Sequence, residues 1–143
     1  LTVMRSIIRP FVCCAMMLGM FSLSAAAQDP AQAQKEAEEK LYESVDREVE
    51  RLTNLLDLDD AQIFYVDSIL THDLKAVQDD FAALSRQKVT NMDIYEDARL
   101  RWMDKIYYAY EKIFNEEQWA KYLKSGAARD KKNRDKRLSK SQK

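Results

Sequence analysis

Apolar side chains recur every three or four residues along most of this chain, separated by short polar breaks, which is the period of amphipathic helices. Four helical segments follow. Over residues 32–56 the apolar positions are Leu41, Val45, Val49, Leu52 and Leu56, and the nearly apolar-free stretch before Leu41 is expected to fray. Over residues 60–90 they are Ile63, Val66, Leu70, Leu74, Val77, Phe81 and Leu84, a narrow stripe on a helix of roughly 45 Å. That length suits an extended hairpin better than a compact bundle. The third segment, residues 93–113, carries Tyr95, Ala98, Trp102, Ile106, Ala109 and Ile113 on one face. The fourth starts at Glu116, offers Trp119, Tyr122 and Leu123 for burial, and ends at Gly126. Past Pro30 there is no proline and one glycine, which argues against sheet-rich folds and glycine-rich phosphate loops. The expected fold is all-α: a long antiparallel helical hairpin with short flanking helices, over residues 28–125.

Residues 1–27 read as an export signal. Arg5 and Arg9 precede an apolar run over residues 10–23, and Ala25 and Ala27 hold the two key places of a cleavage site. A retained anchor is the alternative, because residues 7–27 are just long enough to span a bilayer. The polar Gln28-Asp29-Pro30 that follows favours cleavage after Ala27 and a periplasmic location. Both cysteines, Cys13 and Cys14, fall inside this segment, so disulfides, thiolate metal sites and cysteine nucleophiles are excluded from residues 28–143.

Charge divides the remainder. Residues 28–120 hold 22 acids against 11 bases, whereas residues 121–143 hold ten bases against two acids. The basic block of residues 126–143 reads as a solvated, mobile tail. The alternatives are an anionic membrane surface, an acidic protein, or the acidic face of this same chain. No aromatic residue follows Lys124 to stack on a base, so nucleic acid is not expected as a partner.

Two helix starts share one design. In Leu58-Asp59-Asp60-Ala61-Gln62-Ile63, Asp59 can accept from the backbone N–H of Gln62, and the Gln62 side chain can return to the N–H of Asp59. Phe114-Asn115-Glu116-Glu117-Gln118-Trp119 repeats every element, with Asn115 as cap and Gln118 returning. Two matching boxes 56 residues apart suggest a repeated turn. An apolar residue, a cap, two variable positions and glutamine resembles the Leu-Thr-x-x-Gln pattern of the Spy/CpxP-like periplasmic proteins, over about residues 41–125. Leu58, Asp59 and Gln62 match the first copy, and Phe114, Asn115 and Gln118 the second. Asp and Asn replace Thr as equally good caps, and Phe replaces Leu in the second copy. The resemblance implies a cradle-like hairpin, often dimeric, and ATP-independent protection of unfolded proteins in the bacterial envelope.

A client-binding surface is expected on the third segment. Leu100, Met103, Tyr107, Tyr110 and Phe114 flank its stripe, so the apolar arc spans roughly 200°. Exposed, Leu100, Met103, Tyr107 and Tyr110 would accept varied apolar segments, since methionine adapts to irregular shapes. Otherwise neighbouring helices or a dimer partner bury the arc. Tyr65 and Tyr108 fall off the stripes and read as lone exposed rings. His72 is the only histidine, so no metal site or serine–histidine dyad is expected within one chain. Asp79 and Asp80 point apart on a helix, and no catalysis or cofactor is expected. Two functions remain: a chaperone-like envelope protein binding unfolded or partly folded proteins, with a homodimer as one assembly, or a non-catalytic adaptor or regulator with one specific protein partner.

Overall fold

The computed structural model describes residues 29–141, so the expected export signal lies outside them. Helix is the only regular secondary structure among the described residues. It forms α1 (Pro30–Leu56), α2 (Asp60–Arg86), α3 (Met92–Ile113), α4 (Glu116–Tyr122), a π-helical turn (Leu123–Ala127) and α5 (Ala128–Ser141).

Local chemistry sets most boundaries. Pro30 opens α1, where its missing N–H would be unbonded anyway, and the Asp29 carboxylate accepts from the N–H of Ala31. The chain leaves α1 through Asp57 in the left-handed conformation, φ 53°, and Asp59 caps α2 two residues later. Helix α2 stops at Arg86, four residues short of the periodicity's limit. Lys88 turns left-handed there (φ 58°), and the hydroxyl of Tyr95 donates to the carbonyl of Val89 at 2.9 Å. The loop is thus folded onto α3, which Asn91 caps.

Helices α2 and α3 form the antiparallel hairpin. It is flanked by α1, as long as α2 itself and packed on it, and by the shorter α4 and α5, which contact α1 and α3 respectively. Trp102 pins the hairpin seam: its indole N–H donates to Asp80 at 2.6 Å, and the Lys105 ammonium sits 3.4 Å from its ring centroid. The core joins Leu41, Val45, Leu52 and Leu56 of α1 to Val66 and Leu70 of α2 and to Ile106 and Tyr110 of α3, with Leu58 and Phe114 from the turns. Each such aliphatic side chain contributes about 1.5–3 kcal/mol on leaving water.

Both capping boxes form. Asp59 accepts from the N–H of Gln62 at 2.8 Å and Asn115 from that of Gln118 at 2.9 Å, and each glutamine Oε1 accepts from its own cap's N–H. The two boxes then clasp each other. Gln62 Nε2 donates to Gln118 Oε1 at 2.7 Å, and Gln118 Nε2 donates to Gln62 Oε1 at 2.9 Å. Gln62 Nε2 also reaches the carbonyl of Ile113 (3.1 Å), and Gln118 Nε2 reaches that of Leu56 (3.3 Å). Each motif therefore satisfies a carbonyl at the helix end that precedes the other motif. This reciprocal arrangement fastens the α1–α2 turn to the α3–α4 turn, and Gln118 is buried in making it.

Candidate functional site

The wide apolar arc of α3 is largely covered, because helices pack on it from more than one side. Leu100 and Tyr110 are only 6% and 1% exposed, which corrects the expectation that both line an open surface. Tyr110 lies in an aromatic cluster, its ring centroid 5.1 Å from that of Phe114 and 5.6 Å from that of Tyr122 on α4. Tyr122 is the cover that periodicity along α3 could not reveal. Met103 and Tyr107 are half-buried. The Tyr107 ring stands edge-on to Trp119 at 5.0 Å, with the Arg134 guanidinium carbon 5.5 Å from its centroid. Leu58 and Phe114 of the two motifs are core residues, while Asp59 and Asn115 stay exposed as caps.

Burial pushes the Tyr110 phenol well above the ordinary tyrosine value, with Glu48 acting in the same direction. Its hydroxyl is buried without a hydrogen-bond partner. Two expectations follow. Tyr110→Phe should be neutral or stabilising by about 1 kcal/mol at pH 7, because it removes an unpaired buried hydroxyl. A raised folded-state pKa means that the tyrosine's contribution is intact below about pH 10 and declines above it, where the unfolded chain ionises first. Thermal denaturation at pH 7 and pH 11 should therefore show a smaller alkaline loss for Tyr110→Phe than for the parent chain.

Met103 remains accessible from two sides. An open groove of about 420 Å³ between α1, α2 and α3 is lined by Leu41, Leu74, Val77 and Met103, together with Lys40, Ser44, Gln78 and Arg99. A second cavity of about 390 Å³ lies between α3 and α5. It shares Arg99 and Met103 and adds Glu96, Leu100, Asp130, Asn133 and Arg134. The two hollows adjoin across the Met103 side chain, a flexible thioether between two apolar surfaces.

The basic segment is not the solvated tail that its composition suggests. Past Gly126, whose φ of 116° breaks the helix, it forms α5 and packs along α3. The cause is complementary charge. Asp104 accepts from Arg134 Nε at 3.1 Å and lies 3.5 Å from Lys131 Nζ. Arg137 reaches Asp93 at 2.7 Å and Asp97 at 3.6 Å. Lys131 also contacts Asp135. Burial works against its ammonium, yet Asp135, Tyr108 and Asp104 hold the pKa above the ordinary lysine value. The sequence had offered the chain's own acidic face as one partner for these bases, and α3 is that face.

Other exposed apolar groups lie elsewhere. Tyr65 and Tyr108 are half in solvent, as their positions off the stripes imply. Phe64 was not singled out, yet it is the more open, at 65%, and its ring meets that of Tyr65 edge-on at 5.8 Å. Its place beside Ile63, one step off the α2 stripe, was the available signal. His72 is exposed, with Nδ1 2.7 Å from Asp73 Oδ1. Among the described residues no three His, Cys, Asp or Glu side chains are grouped to hold a metal ion, and no helix is long and apolar enough to cross a membrane. Comparison with known proteins finds no match to a family model, to a curated protein or to a solved structure.

Proposed function

We propose that this chain is an exported, ATP-independent chaperone-like protein that holds unfolded or apolar protein segments on helix surface. The observation that carries this reading is the open groove floored by Met103, Leu74 and Val77 and walled by Leu41. Such a groove accepts apolar side chains of varied shape, because four apolar residues, one of them the unbranched Met103, line it beside Lys40, Ser44, Gln78 and Arg99. The resemblance of the two motifs to those of the Spy/CpxP-like proteins supports the same function, and the signal-like residues 1–27 support delivery to the periplasm. The role assigned to Leu100 and Tyr110 passes to Leu41, Leu74 and Val77, and Met103 keeps its own. Tyr107 lines neither hollow and lies against Trp119 and under Arg134. Acidic residues outnumber basic ones two to one over residues 28–120, which favours apolar or basic clients over acidic ones.

The test uses purified residues 28–143 and a chemically denatured, aggregation-prone client, followed by light scattering after dilution. Suppression should rise with dose up to a tenfold ratio, need no nucleotide, and exceed that of an inert helical control. Met103→Ser combined with Leu74→Ser should weaken it. Folded protein that leaves scattering unchanged at every ratio would sink this reading and make an adaptor with one folded partner the working hypothesis.

A further inference from the structure

We propose that α5 is a built-in occupant of an acidic and apolar stripe on α3, and that the partner able to replace it is a basic amphipathic protein segment. The inference rests on the proposed function and names its client class. Asp93, Asp97, Leu100, Asp104 and Tyr107 recur at intervals of four and three residues, so they form one continuous line along α3. Helix α5 lays a matching line on it. Lys131, Arg134 and Arg137, spaced by three, meet Asp104, Asp104 and the Asp93–Asp97 pair. Lys131 and Arg134 also stand over the Tyr107 ring, at 5.8 and 5.5 Å from its centroid.

The attachment is electrostatic rather than hydrophobic. No residue of α5 is buried, and Leu138 is its one large apolar side chain. The Lys131 and Arg134 pairs with Asp104 are shielded, their side chains 13–22% exposed, so desolvation offsets much of the attraction. The open Arg137–Asp93 pair is instead screened by salt. The covalent link runs through Gly126, whose left-handed backbone lets α5 leave the axis of α4. The cavity between α3 and α5 is mixed: Leu100 and Met103 lie in it among Glu96, Arg99, Asp130, Asn133 and Arg134. A helix held mainly by charge, with no buried residue of its own, is exchangeable for another that brings the same charges. The docked row is selective, because Lys132 and Lys136 on the opposite side of α5 are exposed and make no ion pair among the described residues. An acidic segment cannot substitute, since three aspartates on α3 would repel it.

The experiment uses the whole chain of residues 28–143 and two labelled peptides followed by fluorescence anisotropy. One peptide copies residues 128–141, and the other carries Glu in place of each of its Lys and Arg residues. The parent chain should bind the basic peptide weakly, because its own α5 competes. The double variant Arg134→Glu with Arg137→Glu should bind it at least about tenfold more tightly, the factor expected when no more than about a tenth of parent chains are open. Adding Asp104→Lys to that variant should abolish the gain. The milder pair Arg134→Gln with Arg137→Gln should move affinity in the same direction by a smaller factor, and circular dichroism checks that every variant keeps its helix content. Equal affinity of the parent chain and the folded variants for the basic peptide overturns the proposal, as does preference for the acidic peptide. Light scattering with the aggregating client separates the two readings. Exchange on α3 without aggregation suppression removes the chaperone function and leaves this surface, whereas suppression without exchange removes this surface alone.

Discussion

Gln118→Ala is expected to lower the free energy of unfolding by about 3 kcal/mol, read from urea denaturation monitored by circular dichroism. The side chain is buried, and its loss strands several groups at once: the Gln62 amide, the Leu56 carbonyl and the cap N–H of Asn115. A buried donor or acceptor left without a partner costs about 1–3 kcal/mol, and the Leu56 carbonyl is far from bulk water on a residue only 2% exposed. Gln62→Ala should cost less, because Gln62 is less deeply placed and water can reach the groups it leaves. The double variant decides whether the clasp is one unit. A coupling of about 1–2 kcal/mol between the two positions is expected for residues in one hydrogen-bond network. Additive losses would show that each box merely caps its own helix.

Leu52→Ala is expected to destabilise the fold by a further order of the same size, about 2–5 kcal/mol. Leu52 is 0% exposed in the middle of the α1 face that meets the rest of the core, and deleting its branched end opens a cavity that the surrounding helices can only partly close. Leu55, three residues on and 36% exposed, is the control: Leu55→Ala should change stability by no more than about 0.5 kcal/mol. Thermal unfolding of the two variants side by side would check both values. A similar loss at both positions would mean that a partner surface covers Leu55 in solution.

Much of the fold was legible because helix signals are local. Every α1 stripe position but Val49 is buried, and so are Val66, Leu70 and Val77 of α2, because periodicity marks the face a helix turns to its neighbours. Ile63, Leu74, Phe81 and Leu84 of α2 are half-buried. The two capping boxes were legible for the same reason. Cap and returning glutamine lie three residues apart, so the sequence itself holds both halves of the bond. The limit appears at α3. Trp102 and Ile113 looked like its core and Leu100 and Tyr110 like its flank, yet Leu100 and Tyr110 are the more buried. Periodicity reports that an arc is apolar but not how many neighbours share it, and here Tyr122 and α5 supply the second side.

Determined by the sequence alone were the first four helices, the Asp59 and Asn115 caps, the repeated turn and the division of charge between an acidic body and a basic end. Each depends on residues within one or two turns of each other, where covalent spacing already places the groups in reach. Only the tertiary structure decided that Gln62 meets Gln118, that α5 lies on α3, and that Met103 floors an open groove while Tyr110 is enclosed. Those outcomes join distant residues: Gln62 and Gln118 lie 56 positions apart, and Leu56 and Gln118 lie 62 apart. Which distant faces meet is settled by how all helices together bury apolar area and pair their polar groups, a sum that no single segment contains.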